Sequence, residues 1–266
     1  MLIFLKLGGS LLTDKTQVEA VRPAVLERLA AEIRQAQTAR PDLQLVLAHG
    51  SGSFGHVAAA RYGTRQGVSG AAAWAGFAEV SDAAARLNAL TRQALLAAGV
   101  TAVTLQPSAS AECVAGVIHS LAVSPVRAAL AAGLTPLVYG DVAFDRAQGG
   151  TIISTEEVLS YLAETLPPAW FLLAGETDGV LDAAGRVIPL ITPANFPQIA
   201  AALGGSRGAD VTGGMASKVA SMLALATRLP HCSIRIFSGL ADGVLARTLI
   251  APESAPGTCL RAEALD

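Results

Sequence analysis

Short apolar runs that alternate with alanine-rich segments constrain the fold of this chain more than any other feature of its sequence. The runs are brief and rich in β-branched or aromatic residues, as in strands. The predicted strands are Leu2–Leu7, Leu43–Ala48, Ala102–Leu105, Thr135–Tyr139, Trp170–Leu173 and Ser233–Phe237. The predicted helices are Pro23–Gln37, Ala75–Ala98, Val126–Ala132, Thr155–Leu166 and Gly214–Leu229. This alternation predicts an α/β fold with a mainly parallel central sheet and helices on both faces.

The composition predicts a globular chain with a sizeable core, long enough for one large α/β domain or for two lobes that share a core. The chain has 266 residues, of which 52% are hydrophobic and only 15% are charged. No uncharged apolar stretch reaches the roughly 18 residues that a membrane span requires, so we expect no membrane association. The apolar start is interrupted by Lys6 and then Gly8-Gly9, which favours a buried first strand over a signal peptide and predicts a cytoplasmic protein.

Charge and cysteine content exclude further classes. The net charge is −2 and no basic block is present, so nucleic acid is not an expected partner. The three cysteines, Cys113, Cys232 and Cys259, lie far apart and fit neither a disulfide framework nor a zinc site. We expect them to be reduced, and we expect no protein-only metal site.

Two glycine-rich turns follow the first two predicted strands. Gly8-Gly9-Ser10 comes after the first, and His49-Gly50-Ser51-Gly52 after the second. Glycine lets consecutive backbone N–H groups converge on an anion, and ligands of open α/β sheets bind beyond the carboxyl ends of strands. The turns therefore predict a phosphate site, to which Lys6 would add an ammonium group.

The stretch from His49 to His56 is the most distinctive in the chain. It contains three glycines, two serines and two histidines in eight residues, which is more than a turn requires. Backbone amides, hydroxyls and an imidazole together suit a tetrahedral dianion. Either histidine could instead pack in the core or cap a helix, and for His49 the sequence leaves both readings open.

Two further segments favour a nucleotide. Gly213-Gly214 opens an apolar helix whose free N–H groups would face a phosphate, and Lys218 lies one turn inside. Glu176-Thr-Asp178-Gly179 could bind ribose hydroxyls or a magnesium-bound water, or could form a simple hairpin turn. We also predict β-hairpins at Asp141–Thr151 and Gly179–Pro189.

Taken together, the motifs resemble the amino acid kinase superfamily and, within it, the isopentenyl phosphate kinases. Lys6-Leu-Gly-Gly-Ser10 and Asp210-Val-Thr-Gly-Gly-Met-Ala-Ser-Lys218 are similar to the two ATP-phosphate elements of the superfamily. The stretch 49–56 and Thr13-Asp14-Lys15 resemble the narrower subgroup. The resemblance implies one domain over residues 1–266, with the acceptor site in lobe 1–165 and the ATP site in lobe 166–266.

The resemblance also implies roles for individual residues. Catalytic roles fall to Lys6, Lys15, His56, Glu156 and Lys218. ATP contacts fall to Lys6, Gly8, Gly9, Ser10, Gly52, Asp178, Gly179, Gly213, Gly214 and Lys218. Substrate contacts fall to Ser51, Gly52, His56 and Thr155. ATP and Mg²⁺ are the implied cofactors, isopentenyl phosphate the implied substrate, and a homodimer the implied assembly.

The chain departs from the family pattern at two places. The usual Ser-Gly-Asp-Asp reads Ser154-Thr155-Glu156-Glu157, so Glu156 must orient the two lysines with a side chain one methylene longer. The usual Thr-Asp-Val-Asp-Gly-Val reads Gly175-Glu-Thr-Asp-Gly-Val180.

The implied activity is transfer of phosphate from ATP to isopentenyl phosphate, giving isopentenyl diphosphate and ADP. Alignment and charge stabilisation would dominate, because the acceptor is already ionised. A helix bearing Trp74, Phe77, Val80 and Leu87 could form the dry wall for the hydrocarbon tail, or be ordinary core. Alternatives are an acceptor such as fosfomycin, acetylglutamate or glutamate, and a nucleotide-binding sensor without catalysis.

Overall fold

A computed structural model of the protein describes residues 1–203 and 214–263, without the side chains of residues 56–58, 60, 202 and 203. The strands in this part of the chain are β1 (Leu2–Leu7), β2 (Thr13–Asp14), β3 (Ala20–Val21), β4 (Gln44–His49), β5 (Ala102–Thr104), β6 (Glu112–Val114), β7 (Val117–Ser120), β8 (Thr135–Tyr139), β9 (Asp141–Asp145), β10 (Gly149–Ile153), β11 (Trp170–Gly175), β12 (Leu190–Ile191), β13 (Ser233–Ser238) and β14 (Thr258–Leu260). The α-helices are α1 (Gly9–Leu12), α2 (Pro23–Ala39), α3 (Gly52–Tyr62), α4 (Gly70–Ala97), α5 (Ser124–Ala131), α6 (Thr155–Thr165), α7 (Phe196–Leu203), α8 (Gly214–Arg228) and α9 (Val244–Ile250).

The central sheet has eight strands in the order β12-β14-β13-β11-β1-β4-β8-β5. Neighbours from β13 to β5 all run parallel, and β14 is antiparallel to β13 at one margin. All six strands predicted from the sequence lie in this sheet, so the prediction of a mainly parallel sheet is confirmed. The carboxyl ends of β1, β4, β8 and β11 meet near the middle of one edge, and each is followed by a turn that contains glycine.

Helices cover both faces of the sheet because alternate residues of each strand point to opposite sides. On β1, Leu5 belongs to an apolar cluster that includes residues of α2 and α9. Phe4 belongs to a second cluster on the other face, with residues of α5, α6 and α8. The three-layer sandwich is therefore confirmed. No helix in the described part of the chain is long and apolar enough to cross a bilayer.

A second sheet has four strands in the order β10-β9-β6-β7. The predicted hairpin at Asp141–Thr151 is confirmed as the antiparallel pair β9 and β10. At Gly179–Pro189 the chain also turns back on itself, with one antiparallel bridge between Leu181 and Val187. The three cysteines are free and buried, as expected.

The main difference from the sequence-based expectation lies in the stretch 49–56. We predicted a turn at His49–Gly52 and no helix directly after it, but α3 begins at Gly52. Glycine disfavours helix, yet Phe54 is buried against Leu87 of α4, and this packing outweighs the poor local propensity. The helix α4 also begins earlier than predicted, at Gly70.

Candidate active site

The two glycine-rich turns touch each other at the edge of the sheet. Gly8 donates its N–H to the Ala174 carbonyl at 2.8 Å, and Gly50 donates to the Leu7 carbonyl at 2.9 Å. A Cβ atom on Gly9 would lie only 2.3 Å from the backbone nitrogen of Gly52. Only glycine permits this approach, and it brings the starts of α1 and α3 into one surface, as the position of both turns at strand ends predicted.

This surface presents backbone N–H groups without internal partners. Gly9 and Ser10 open α1, while Ser51 precedes α3 and Gly52 opens it. Within residues 1–203 and 214–263, no oxygen accepts a hydrogen bond from the N–H of any of these four residues. Unpaired N–H groups at helix starts carry partial positive charge and suit an anionic ligand such as phosphate.

Thr13 joins the two turns from beneath. Its buried hydroxyl donates to the Gly9 carbonyl at 2.8 Å and accepts from the Ser53 N–H at 2.9 Å. One hydroxyl thereby ties the end of α1 to the first turn of α3. The sequence analysis singled out Thr13 only as part of Thr13-Asp14-Lys15 and did not predict this role, because Ser53 comes near Thr13 only in the folded chain.

Glu156 brings two lysines together. The same carboxylate oxygen, Oε1, contacts the ammonium group of Lys6 and lies 3.9 Å from Nζ of Lys218. Lys6 is on β1, Glu156 is in the first turn of α6, and Lys218 is in the second turn of α8. Three elements that are remote in sequence therefore deliver two positive charges and one negative charge to one place.

The ionisation of this cluster follows from burial and mutual charge. Burial lowers the pKa of Lys6, Lys218 lowers it further, and Glu156 opposes both. Burial alone would raise the pKa of Glu156, but the charges of Lys6 and then Lys218 outweigh it, so this pKa lies below its usual range. The carboxylate is therefore ionised at neutral pH.

The four consecutive residues from Ser154 to Glu157, at the start of α6, each make a defined contact. Ser154 and Glu157 form a capping box, in which each side chain accepts the backbone N–H of the other. Thr155 donates its hydroxyl to the His49 carbonyl at 2.8 Å, and Glu156 contacts the two lysines. Glu157 also accepts from Arg65 at 2.8 Å. The Thr155 side chain is thus engaged by the end of β4, so a contact from Thr155 to a substrate would have to come from its backbone.

The two histidines of the stretch 49–56 lie on different elements, His49 at the end of β4 and His56 in α3. His49 is fully buried and stacks on Tyr139 with ring centroids 5.5 Å apart. It therefore belongs to the core beneath the turn, which resolves the two readings that the sequence left open. His56 lies in α3, but its side chain is outside the part of the chain that the structure describes, so its predicted phosphate contact stays a prediction.

The remaining predicted residues differ in their exposure and in what they contact. Lys15 is exposed on the turn between β2 and β3, which packs beside Ser53, and it forms no ion pair with a described residue. Asp178 is exposed after β11. Gly179 is buried with φ +156, and a Cβ there would lie 2.7 Å from Thr258 Oγ1, which accounts for this glycine structurally. Gly213 is outside the described residues, and Gly214 is the first residue of α8.

An ion pair links the two halves of the site in a way that we did not predict. Arg22, at the start of α2, lies 2.8 Å from Glu176, which follows β11. Both side chains are partly exposed at the edge of the sheet. Glu176 stands where the usual pattern has an aspartate, so an acidic side chain is kept at this position and pairs with Arg22.

The described residues contain no group of three or more His, Cys, Asp or Glu side chains that could together hold a metal ion. The carboxylate of Glu156 already pairs with two lysines. The donor set therefore does not fit a metal bound by protein side chains alone.

Comparison with known proteins gives a consistent result. Residues 1–238 match the profile of the Amino acid kinase family. An isopentenyl phosphate kinase of Haloferax volcanii is 38% identical over 98% of this chain and 99% of its own length. Another, from Methanothermobacter thermautotrophicus, is 33% identical over 95% of this chain and 96% of its own.

Solved structures agree in fold. One described as isopentenyl phosphate kinase superposes with a TM-score of 0.81 at 30% identity, covering 97% of this chain and all of the other. An N-acetylglutamate synthase from Neisseria gonorrhoeae has a TM-score of 0.71, but at 19% identity it shares the fold alone.

Proposed function

This chain belongs to the amino acid kinase family and, within it, to the isopentenyl phosphate kinases, and we propose that it transfers the γ-phosphoryl group of ATP to isopentenyl phosphate. The observation that carries the proposal is the pair of lysines on one carboxylate, beside two turns with unpaired N–H groups. Two phosphates repel each other, so an enzyme that joins them must first supply positive potential at their meeting point.

The chemistry needs little from the protein beyond alignment. An oxygen of the acceptor phosphate attacks the γ-phosphorus of ATP, the bond to the β–γ bridging oxygen breaks, and ADP leaves with that electron pair. The acceptor oxygen is already ionised at neutral pH, so no general base is required. Lys6 and Lys218 would stabilise the charge that moves from the transferred group to the leaving oxygen, and Glu156 would fix their separation.

Backbone groups and Mg²⁺ would complete the charge balance. We assign the N–H groups of Gly9, Ser10, Ser51 and Gly52 to phosphate oxygens, because they face no acceptor in the described part of the chain. Mg²⁺, bound by the nucleotide phosphates, would neutralise part of their charge. Lys15 and His56 are proposed to contact the acceptor phosphate, since both lie on segments that flank the first turn of α3.

An apolar region beside this turn could receive the hydrocarbon tail. Phe77 and Val80 of α4 pack with Val68 and Val142, and Leu87 packs with Phe54. Trp74, which is 38% exposed, closes on Phe77 with ring centroids 5.3 Å apart. These side chains lie between α4, the start of α3 and the hairpin β9–β10, which supports the predicted apolar wall. The acceptor would thus bind in lobe 1–165, and ATP would bind toward lobe 166–266.

The competing functions have less support from the residues present. A carboxylate acceptor such as acetylglutamate calls for arginine or amide side chains, whereas the stretch 49–56 offers serine hydroxyls and histidines. A non-catalytic sensor was suggested by the replacement of the usual Gly-Asp. Glu156 nevertheless contacts both lysines, so the replacement preserves the contact that catalysis would use.

An ADP-release assay with four acceptors tests the proposal. We expect turnover with isopentenyl phosphate, in the presence of ATP and Mg²⁺, and far less with fosfomycin or acetylglutamate. Turnover with dimethylallyl phosphate, compared with isopentenyl phosphate, shows how strongly the enzyme discriminates between the two positions of the double bond. Lys6→Ala or Lys218→Ala should remove most of kcat, with Arg146→Ala as an exposed cationic control. Turnover restricted to acetylglutamate, or none with any acceptor, would contradict the proposal.

The predicted homodimer remains a prediction that sedimentation analysis can test.

A further inference from the structure

The turn between β2 and β3, residues 15–19, carries Lys15 and is anchored at its base. There the Ala20 N–H donates to Ser53 Oγ at 3.1 Å, and Val21 packs against the apolar cluster that joins α3 to α4. Every residue of the turn itself is exposed. The position of its tip, and with it that of Lys15, therefore depends on the few contacts that the turn makes.

One ion pair joins this turn to α4. Arg86 forms a forked contact with Glu19, in which Nε donates to Oε2 at 3.1 Å and an Nη group contacts Oε1. Among the ion pairs of residues 1–203 and 214–263, no other involves the turn. The side chains of Thr16 and Gln17 donate instead to Asp14 at the base. A planar guanidinium on two carboxylate oxygens fixes direction as well as distance.

The backbone of Glu19 indicates that the docked arrangement is specific. Its φ is +51, a left-handed value that only one other non-glycine residue of the described chain, Ala115, adopts. A residue with a side chain keeps such a conformation only where its surroundings hold it. Here the Ser53 carbonyl accepts the Glu19 N–H at 3.5 Å, and Arg86 binds the carboxylate. The turn therefore adopts a locally unfavourable backbone in order to make these contacts.

The ion pair connects two parts of the proposed acceptor site. Phe77 and Val80, in the apolar region assigned to the hydrocarbon tail, lie on α4 together with Arg86. Lys15, assigned to the acceptor phosphate, lies on the turn. Because the helix is continuous, the ion pair fixes the turn relative to the wall for the tail. A lysine on an ordered turn loses less freedom when its ammonium group binds a phosphate.

We propose that Arg86 is a positioning residue for the acceptor, which binds Glu19 and thereby holds the turn that carries Lys15. The inference rests on the proposed function for the role of Lys15. Arg86 would act through this turn and touch neither substrate. Asp82, one helical turn earlier, pairs with the same arginine but makes no described contact with the turn, so it has no part in this role.

A double-mutant cycle tests whether Arg86 acts through Lys15. The Arg86 side chain is 44% exposed, so its replacement should not prevent folding. We expect Arg86→Gln to lower kcat/KM for isopentenyl phosphate about three- to tenfold with little change in KM for ATP, and Arg86→Lys to restore part of the loss. Lys15→Ala should cost more, and adding Arg86→Gln to it should cause no further loss.

Asp82→Asn is the matched control, because it removes the other partner of Arg86 and leaves the turn unchanged. Its kcat/KM should stay near that of the unmodified enzyme. If Arg86→Gln caused the same fold loss with and without Lys15, or no loss at all, the proposal would be overturned.

Trypsin cleavage after Lys15 gives a measurement that does not depend on catalysis. A bond in an exposed segment is cut faster when the segment leaves its folded arrangement. Arg86→Gln should therefore raise the rate of cleavage between Lys15 and Thr16 about three- to tenfold, while its urea midpoint stays close to that of Asp82→Asn. An unchanged rate would overturn the proposal. Absence of turnover in the unmodified protein would instead reject the proposed function, with the docking of the turn still judged by cleavage.

Discussion

Glu156 has two neighbours that would repel each other without it. The ammonium groups of Lys6 and Lys218 both approach its Oε1 atom, and Lys6 is largely buried. Like charges in such a place lower each other's affinity for protons, and a shared carboxylate reverses part of that effect. The carboxylate therefore has an electrostatic task, to keep Lys6 charged in an enzyme that has not yet bound a nucleotide.

In a plot of kcat/KM against pH, replacing Glu156 by Gln should shift the fall of activity at alkaline pH to a lower pH. The pKa of Lys6 is already lowered by burial, and Glu156 is the group that opposes the shift. Without the carboxylate the pKa falls further, so the ammonium charge is lost at a lower pH. We also expect kcat to fall about tenfold or more. The profile should be followed from neutral pH to the ordinary lysine pKa of 10.5.

The matched control is Glu112→Gln, which removes an exposed carboxylate that pairs with Arg146. Its alkaline limb should coincide with that of the unmodified enzyme. If Glu156→Gln also left the limb in place, the electrostatic task assigned to this carboxylate would be wrong.

Thr155→Val should destabilise the protein, because it removes the donor to the buried His49 carbonyl while keeping the shape of the side chain. An unpaired buried carbonyl costs about 1–3 kcal/mol. Thr155→Ser keeps the hydroxyl and loses one methyl group, which costs about 0.8 kcal/mol. Urea unfolding compares the two. A larger loss for serine than for valine would show that packing, and not the hydrogen bond, fixes this position.

At the scale of elements, one carboxylate joins two turns of the smaller sheet. Asp145 ends β9 and accepts N–H groups from Ala115 and Gly116, in the turn between β6 and β7. It also accepts from Ala147 and Gln148, in the turn between β9 and β10. These hydrogen bonds lower its pKa, although burial acts in the other direction. The smaller sheet therefore depends on an ionised aspartate.

Asp145→Asn should lower stability at neutral pH and have a smaller effect in acid. A carboxyl group with a lowered pKa stabilises the fold above its unfolded-state pKa, near 3.8, and this contribution is lost as pH falls through the lower folded value. Urea midpoints at neutral pH and below the unfolded-state pKa give the comparison. Asp242→Asn, at a highly exposed position, is the control. A stability difference that did not shrink in acid would contradict the ionised state.

The elements that the sequence predicted share one property. Each of the six predicted strands is a short and mainly apolar run, so its burial is visible in the sequence. The helix α3 was not predicted, because its stability comes from contact of Phe54 with α4 and not from local propensity. The joining roles of Thr13, Arg22 and Glu176 were also missed, since each depends on a partner brought near only by folding. The Lys6–Glu156–Lys218 contact was expected from the family resemblance and not from spacing.

At the scale of the molecule, β1 is shared by both apolar layers. Phe4 belongs to one cluster and Leu5 to the other, although they are adjacent in sequence. Both side chains are completely buried, and both layers contact the same parallel sheet. The two layers should therefore unfold together, as one cooperative unit.

Phe4→Ala and Leu5→Ala test this expectation. Each creates a cavity in a different layer and should cost about 3–5 and about 2–5 kcal/mol, respectively. Fluorescence of Trp170, which belongs to the layer of Leu5, and circular dichroism of the whole backbone should report the same urea midpoint in each variant. Val18→Ala, at an exposed position, should have little effect. Separate midpoints for the two probes would show that the layers unfold independently.

The first turn of α6 also constrains how this enzyme can evolve. If Thr155 and Glu156 were replaced by the usual glycine and aspartate one at a time, the protein with a single replacement should be less stable or less active than either pair. Replacing Thr155 first removes the hydroxyl that donates to the His49 carbonyl. Shortening Glu156 first moves its carboxylate away from Lys6 and Lys218. The pair should therefore be inherited together, so relatives should rarely combine Thr155 with aspartate or Glu156 with glycine.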